Sequence, residues 1–192
     1  MSGPKVYYRA ETVFDNDGIR QMFQAEYYSY ESLRILLRAG LGAIILLCAL
    51  FLVESNAIKG VLLMIGCWFL VSTDFPSRMR AEQLIQSRKG LKSRVNYRFM
   101  EKAVMIDGAD REIAYENIDR MLVDKNCFYL FENPESAVMV SRKIWTKDEQ
   151  QSFVNFLSEK TGKEWKKSRS IIGMNLRDLI DMIRDGKKWR VK

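Results

Sequence analysis

The chain has 192 residues, with 31 basic and 24 acidic side chains, a net charge of +7, three cysteines and no histidine. That length holds one small domain besides any membrane segment. Without histidine there are no Ser-His or Cys-His nucleophile pairs and few ways to build a zinc site, and three cysteines without a CxxC pair do not indicate a disulfide framework.

Residues 5–14 (KVYYRAETVF) are rich in β-branched and aromatic side chains and predict a strand. Asp15, Asn16 and Asp17 are N-cap candidates for the helix that follows. In that helix Ile19, Met22, Phe23, Tyr27, Tyr30 and Leu33 recur at mostly helical spacing. It is expected to run straight into the first of two apolar stretches. Tyr27, Tyr28 and Tyr30 near its end either sit at a lipid interface or pack on a soluble domain.

The two stretches, 39–53 (AGLGAIILLCALFLV) and 60–73, are separated only by residues 54–59. Neither has a polar face, whereas a surface helix of a soluble domain carries an apolar stripe. A bilayer core is about 30 Å thick and needs about 20 apolar residues. Extending the first stretch back to Ile35 gives about 28 Å of helix, with Arg38 snorkelling near one end. The second reaches a workable length with Ile58 and Lys59 included, and Asp74 and Pro76 are expected to close it. A soluble helical hairpin and a re-entrant hairpin are the alternatives. Gly40, Gly42 and Ala43 facing Gly60 and Gly66 would allow close helix approach. The first stretch begins too late, and after too many acidic residues, to read as a signal peptide, so the hairpin is expected to be retained.

After Pro76, Ser77 caps a predicted basic helix over 78–89, which Gly90 ends. Short strand-like runs then follow at 94–100, 103–106, 112–115, 120–124, 127–131 and 137–140. Turn signals lie between them at Asp107-Gly108, Lys125-Asn126 and Asn133-Pro134. Thr146 with Glu149 forms a capping box ahead of a helix carrying Phe153, Val154, Phe156 and Leu157, and Thr161-Gly162 stops it. Six strands closed by one helix predict a small β-barrel or sandwich. A chain cut at Gly162 is expected to keep this module folded. In the tail, Asn175 caps a candidate helix 176–184 with Leu176, Leu179, Ile180 and Ile183 on one face. It lies in a membrane interface, docks on the module or a partner, or is disordered.

The positive charge is concentrated in two places: residues 75–92 carry +4 and residues 163–192 carry +6, while 93–162 carry −2. Basic residues near an anionic leaflet contribute about 1 kcal/mol each. The candidate headgroup contacts are Arg78, Arg80, Arg88, Lys89, Arg142, Lys143, Lys166, Lys167, Lys187, Lys188 and Arg190. Nucleic acid is disfavoured as a partner because the compact module is slightly acidic. Arg34 and Arg38 before the hairpin and Arg78 and Arg80 after it, against Lys59 alone in the loop, place both termini on the cytoplasmic side.

Tyr97-Arg98-Phe99, the run 112–118 (EIAYENI), the run 126–131 (NCFYLF), the run 138–143 (VMVSRK) and the Asp148-Glu149…Phe153 helix resemble the YcxB-like family of bacterial membrane proteins over roughly residues 10–162. The resemblance implies a PH-like split barrel on a two-helix anchor, without established enzyme activity. The expected fold is therefore an α+β membrane protein: a transmembrane hairpin plus a small PH-like antiparallel β-barrel capped by a C-terminal helix. Its parts are a cytoplasmic strand and helix (1–34), the hairpin (35–74), a basic juxtamembrane helix (75–92), the β-module (93–162) and a basic tail (163–192).

The carboxylates Asp107, Asp110, Glu112, Glu116, Asp119 and Asp124 are spread by strand and turn spacing rather than converged. No phosphate loop, metal-ligand cluster or nucleophile signature is present, and no cofactor is implied. The function expected is a non-enzymatic membrane-anchored scaffold for an unidentified protein or a second copy. An anionic-lipid sensor is the alternative, and an immunity-type protective protein the third reading.

Overall fold

The computed structural model describes residues 5–89, 91–108 and 111–168. Strand β1 (Tyr8–Phe14) is followed not by its sheet partner but by four helices, α1 (Asn16–Tyr30), α2 (Ser32–Phe51), α3 (Asn56–Val71) and α4 (Phe75–Ser87). The remaining strands are β2 (Ser93–Phe99), β3 (Ala103–Asp107), β4 (Arg111–Ala114), β5 (Arg120–Val123), β6 (Cys127–Asn133) and β7 (Ser136–Ser141). Helix α5 (Lys147–Thr161) and a short β8 (Trp165–Lys167) end the described chain.

The strands form two four-stranded sheets, ordered β1-β2-β3-β4 and β7-β6-β5-β8, and not the closed barrel expected. The first sheet ends at β4 because a 3-10 turn at Tyr115–Asn117 redirects the chain into the second. At the other seam β1 meets β7 through the buried Thr12 hydroxyl, which donates to the Met139 carbonyl at 2.7 Å, rather than through a ladder. The core between the sheets is apolar: Phe99, Val104, Phe128, Leu130, Val140 and Leu157 are all essentially inaccessible. Helix α5 covers it with Phe153, whose ring lies 4.4 Å from Trp145, 4.9 Å from Phe99 and 5.3 Å from Tyr8, centroid to centroid. Its predicted capping box forms at Thr146 and Glu149, and Gly162 ends it in the left-handed region at φ 67°.

Two partnerships cross the boundaries drawn from the sequence. β1 pairs antiparallel with β2 along its whole length, from Tyr8↔Phe99 to Phe14↔Ser93, so the hairpin is inserted between two neighbouring strands of one sheet. β8 adds parallel to β5, Met121↔Trp165 to Val123↔Lys167. Trp165 is buried, stacks edge-on to Phe128 at 5.2 Å and donates its indole N–H to the Val154 carbonyl. Residues 165–167 thus pack as part of the module, against the expected boundary at Gly162, and a cut there would remove Trp165 from beside Phe128.

The second sheet is covered on both faces. Phe128, Leu130 and Val140 point into the core, while Leu122, Tyr129, Phe131 and Met139 meet Ala25, Met22 and Tyr30 of α1. A strand apolar on both sides is what two covered faces require, and 127–131 has that composition. Tyr27, Tyr28 and Tyr30 accordingly pack within the protein: Tyr27 is buried and the Tyr30 ring meets Phe131 at 5.9 Å.

α1 does not run straight into α2. Glu31 breaks the helix at φ −110°, ψ 25°. Its carboxylate is held by Arg80 at 2.8 Å and Arg34 at 3.0 Å while α1 stays bound to the sheet and α2 leaves it. Nor does Pro76 close the second apolar stretch. α3 continues through a 3-10 turn (Ser72–Asp74) directly into α4, where Pro76 sits in the first turn and its missing N–H leaves no helical bond unmade. α4 itself ends at Ser87, and the predicted stop at Gly90 lies outside the described residues.

α2 and α3 form an antiparallel pair. They meet where a Cβ on Gly42 would fall 3.1 Å from the Gly66 carbonyl oxygen, while Gly40 and Gly60 face nothing within 4 Å. Both helices belong to segments long and apolar enough to cross a membrane, by length and composition. Leu36, Ile44, Leu47, Met64 and Trp68 are each more than half exposed.

Candidate functional site

α1 sits between the second sheet and α4. Ile19 packs with Ala81 and Ile85 on one side, and Ala25 packs with Leu122 and Phe131 on the other. Because α1 and α4 are antiparallel, their hairpin ends lie together, and that end holds most of the polar contacts. Tyr30 donates to Asp119 at 2.8 Å, and the Arg120 guanidinium lies 4.1 Å from the Tyr30 ring centre and donates to the Ser29 carbonyl. A cation on the last carbonyls of a helix is favourable because those groups lack intrahelical partners. On the α4 side Tyr28 donates to the buried Asp74, and Ser77 donates to the Asp74 carbonyl at 2.9 Å.

Arg80 anchors an ion network here. It reaches Glu26 at 3.2 Å and Glu31 at 2.8 Å, and Arg34 joins at Glu31. Burial raises the Glu26 carboxyl above its ordinary range, against the opposing pull of Arg80. The network borders a groove of about 790 Å³ between α1, the first turn of α2 and the β6–β7 turn. Met22, Phe23, Leu33 and Phe131 supply its apolar wall, and Arg34 and Glu135 line it as exposed charges. Sequence reading singled out Arg80 but missed Glu26, Glu31 and the groove. The available signal was two carboxylates within an otherwise apolar and aromatic helical pattern.

The predicted headgroup contacts stand on separate elements. Arg78 and Arg80 lie in the first turns of α4, beside the hairpin, and Arg80 is engaged by carboxylates. Arg88 and Lys89 follow the opposite end of α4, about 20 Å along its axis. Arg142 is structural: its guanidinium donates to the Asp124 carbonyl at 2.7 Å and to Gln150 at 2.8 and 3.0 Å. Lys143 is exposed next to it, and Lys166 and Lys167 are exposed on β8. Arg142 and Lys167 sit at the Val123–Asn126 end of the second sheet, whereas α1 meets the hairpin at the Arg120 end. Lys187, Lys188, Arg190 and the candidate helix 176–184 lie outside the described residues, as does Asp110.

Asp124 caps the turn that starts β6, accepting from the Asn126 and Cys127 amides and from the Tyr129 hydroxyl at 2.7 Å. Burial, and then the Asp124 charge, push the Cys127 thiol up to about 11, so it stays protonated and unreactive near neutral pH. The same two causes hold the Tyr129 hydroxyl protonated far above its ordinary range. This cluster shapes a turn. Among the described residues no group of three or more Cys, Asp or Glu side chains is placed to hold a metal ion. Comparison of the chain with family models, with curated proteins and with solved structures gives no match.

Proposed function

We propose that this chain is a non-enzymatic, two-span membrane anchor that presents a PH-like module to a protein partner or a second copy at the cytoplasmic face of a bacterial plasma membrane. The observation that carries the reading is the hairpin surface. Apolar side chains such as Leu36, Ile44, Leu47, Met64 and Trp68 are exposed along a pair of helices that pack closely where Gly42 meets Gly66. An apolar surface of that extent needs lipid or a partner, and two helices in antiparallel contact satisfy their own backbone groups as a bilayer demands. The PH-like reading draws on the family resemblance over 97–161 and on the order of elements. Four strands in one sheet precede three antiparallel strands in another, and a helix then plugs the space between them. On this reading the anchor is an insertion between the first two strands of the module.

The orientation follows from charge. Arg34, Arg38 and Arg78 stand at the module end of the hairpin, and Lys59 alone stands near the loop end. The scaffold reading is favoured over an anionic-lipid sensor because Arg142 is held by Asp124 and Gln150, and Lys143 and Lys167 sit at the Val123–Asn126 end of the second sheet rather than the Arg120 end, where α1 meets the hairpin. A photo-crosslinking residue at Lys143 or Lys166, introduced into the full chain in living cells, tests this. The expected product is one discrete protein adduct, either a partner or a dimer. Lipid adducts without a protein band contradict the scaffold role and favour the sensor.

A further inference from the structure

We infer that the groove beside Glu31 is a binding site for one membrane phospholipid with a zwitterionic, amine-bearing headgroup. This rests on the membrane reading above and adds a ligand to it. Three observations carry it. First, the groove's apolar wall is continuous with the hairpin surface: Leu33 lines the groove, and Leu36 and Leu37 extend the same exposed surface along α2, all three about two-thirds exposed. Leu33 thus joins the apolar surface of α2 to the groove wall, beside the Glu31–Arg34 pair. Second, the volume of about 790 Å³ falls in the range of ligand sites, roughly 300–1,000 Å³, and the wall combines apolar side chains with a few charges as such sites do.

Third, the charges are complementary to a zwitterion. The Arg34 side chain is 75% exposed and makes one bond, to Glu31, so it retains donors for a phosphate. Glu135 is exposed on the same groove and is placed to accept from an ammonium. Glu26 and Glu31 are paired with Arg80 and Arg34, so the remaining groove carboxylate, Glu135, disfavours a headgroup of net negative charge. Phosphatidylethanolamine offers a phosphate to Arg34 and an ammonium to Glu135, whereas phosphatidylglycerol has no ammonium for Glu135.

Native mass spectrometry of the full chain released from detergent tests this, with added dihexanoyl-phosphatidylethanolamine and dihexanoyl-phosphatidylglycerol as probes. The expected result is one bound ethanolamine lipid per chain. Ala137→Trp fills the groove from its β7 side and should weaken that adduct about tenfold, or about 1.4 kcal/mol. Glu135→Lys, on an exposed turn, should reverse the headgroup preference while leaving thermal unfolding unchanged. Equal adducts in wild type and A137W, no change of preference in E135K, or stronger binding after removal of residues 169–192 would each overturn the assignment, the last by naming the tail as occupant. A chain that binds the short-chain probe yet is recovered outside membranes would keep the site and refute the anchor. A membrane-bound chain with no adduct would do the reverse.

Discussion

A fragment of residues 91–192 is expected to show no cooperative thermal unfolding by circular dichroism. Sequence spacing draws a module boundary near residue 93, but the fragment lacks β1 and α1. β1 supplies seven register pairs to β2, from Tyr8↔Phe99 to Phe14↔Ser93. Its removal leaves β2 as a bare edge and takes away Thr12, the bond that joins the two sheets at Met139. Loss of α1 uncovers the outer face of the second sheet, where Leu122, Tyr129, Phe131 and Met139 are all 4% exposed or less. Burying a large apolar side chain contributes about 1.5–3 kcal/mol, so uncovering four costs about 6–12 kcal/mol. That matches the whole stability of a typical domain, about 5–15 kcal/mol. A sharp transition in the fragment would mean that the strands after residue 93 form a unit of their own.

Phe153→Ala in the full chain is expected to lower stability by about 3–5 kcal/mol, the usual cost of removing a fully buried phenylalanine. Phe153 is inaccessible to solvent, and its ring meets Tyr8, Phe99, Phe128 and Trp145 with centroids 4.4–5.5 Å apart. Those partners come from β1, β2, β6 and the turn before α5, so the cavity loosens both sheets and the helix together. Chemical unfolding of the detergent-solubilised chain, followed by near-ultraviolet circular dichroism, measures the loss. Leu91→Ala, at a residue 73% exposed, serves as the control and should change stability by less than about 0.5 kcal/mol. A loss of under about 1 kcal/mol for Phe153→Ala would show that α5 is not the plug of this core.

Much of the fold was legible because its signals are local. Strands β2 to β7 were expected to within one or two residues of their observed ends, since alternation and the turns at Asp107-Gly108, Lys125-Asn126 and Asn133-Pro134 delimit them. The Thr146–Glu149 box and Gly162 fixed α5 because capping chemistry depends on three or four consecutive residues. What escaped depends on residues far apart in the chain. The pairing of β1 with β2 bridges the whole hairpin, and nothing in residues 5–14 names a partner beyond residue 90. β8 is three residues long, too short for any periodicity, and only its buried Trp165 gives it value. The open seams between the sheets depend on the turn at Tyr115–Asn117, whose composition is that of an ordinary connection. The break at Glu31 was hidden because helical spacing runs on through it, and the cause is Arg80, some fifty residues later. The groove is similarly a product of assembly, drawn from α1, α2, α4 and the β6–β7 turn.

The native Cys67 thiol provides the most direct test of the proposal that lipid is the solvent of the hairpin. It is exposed on the surface of α3, and Cys127 in the same chain is buried and serves as an internal silent reference. In intact membranes the account predicts that a water-soluble maleimide leaves Cys67 unlabelled, because hydrocarbon covers it. Rapid labelling of Cys67 in the folded chain without detergent would contradict the account, because water would then surround the hairpin.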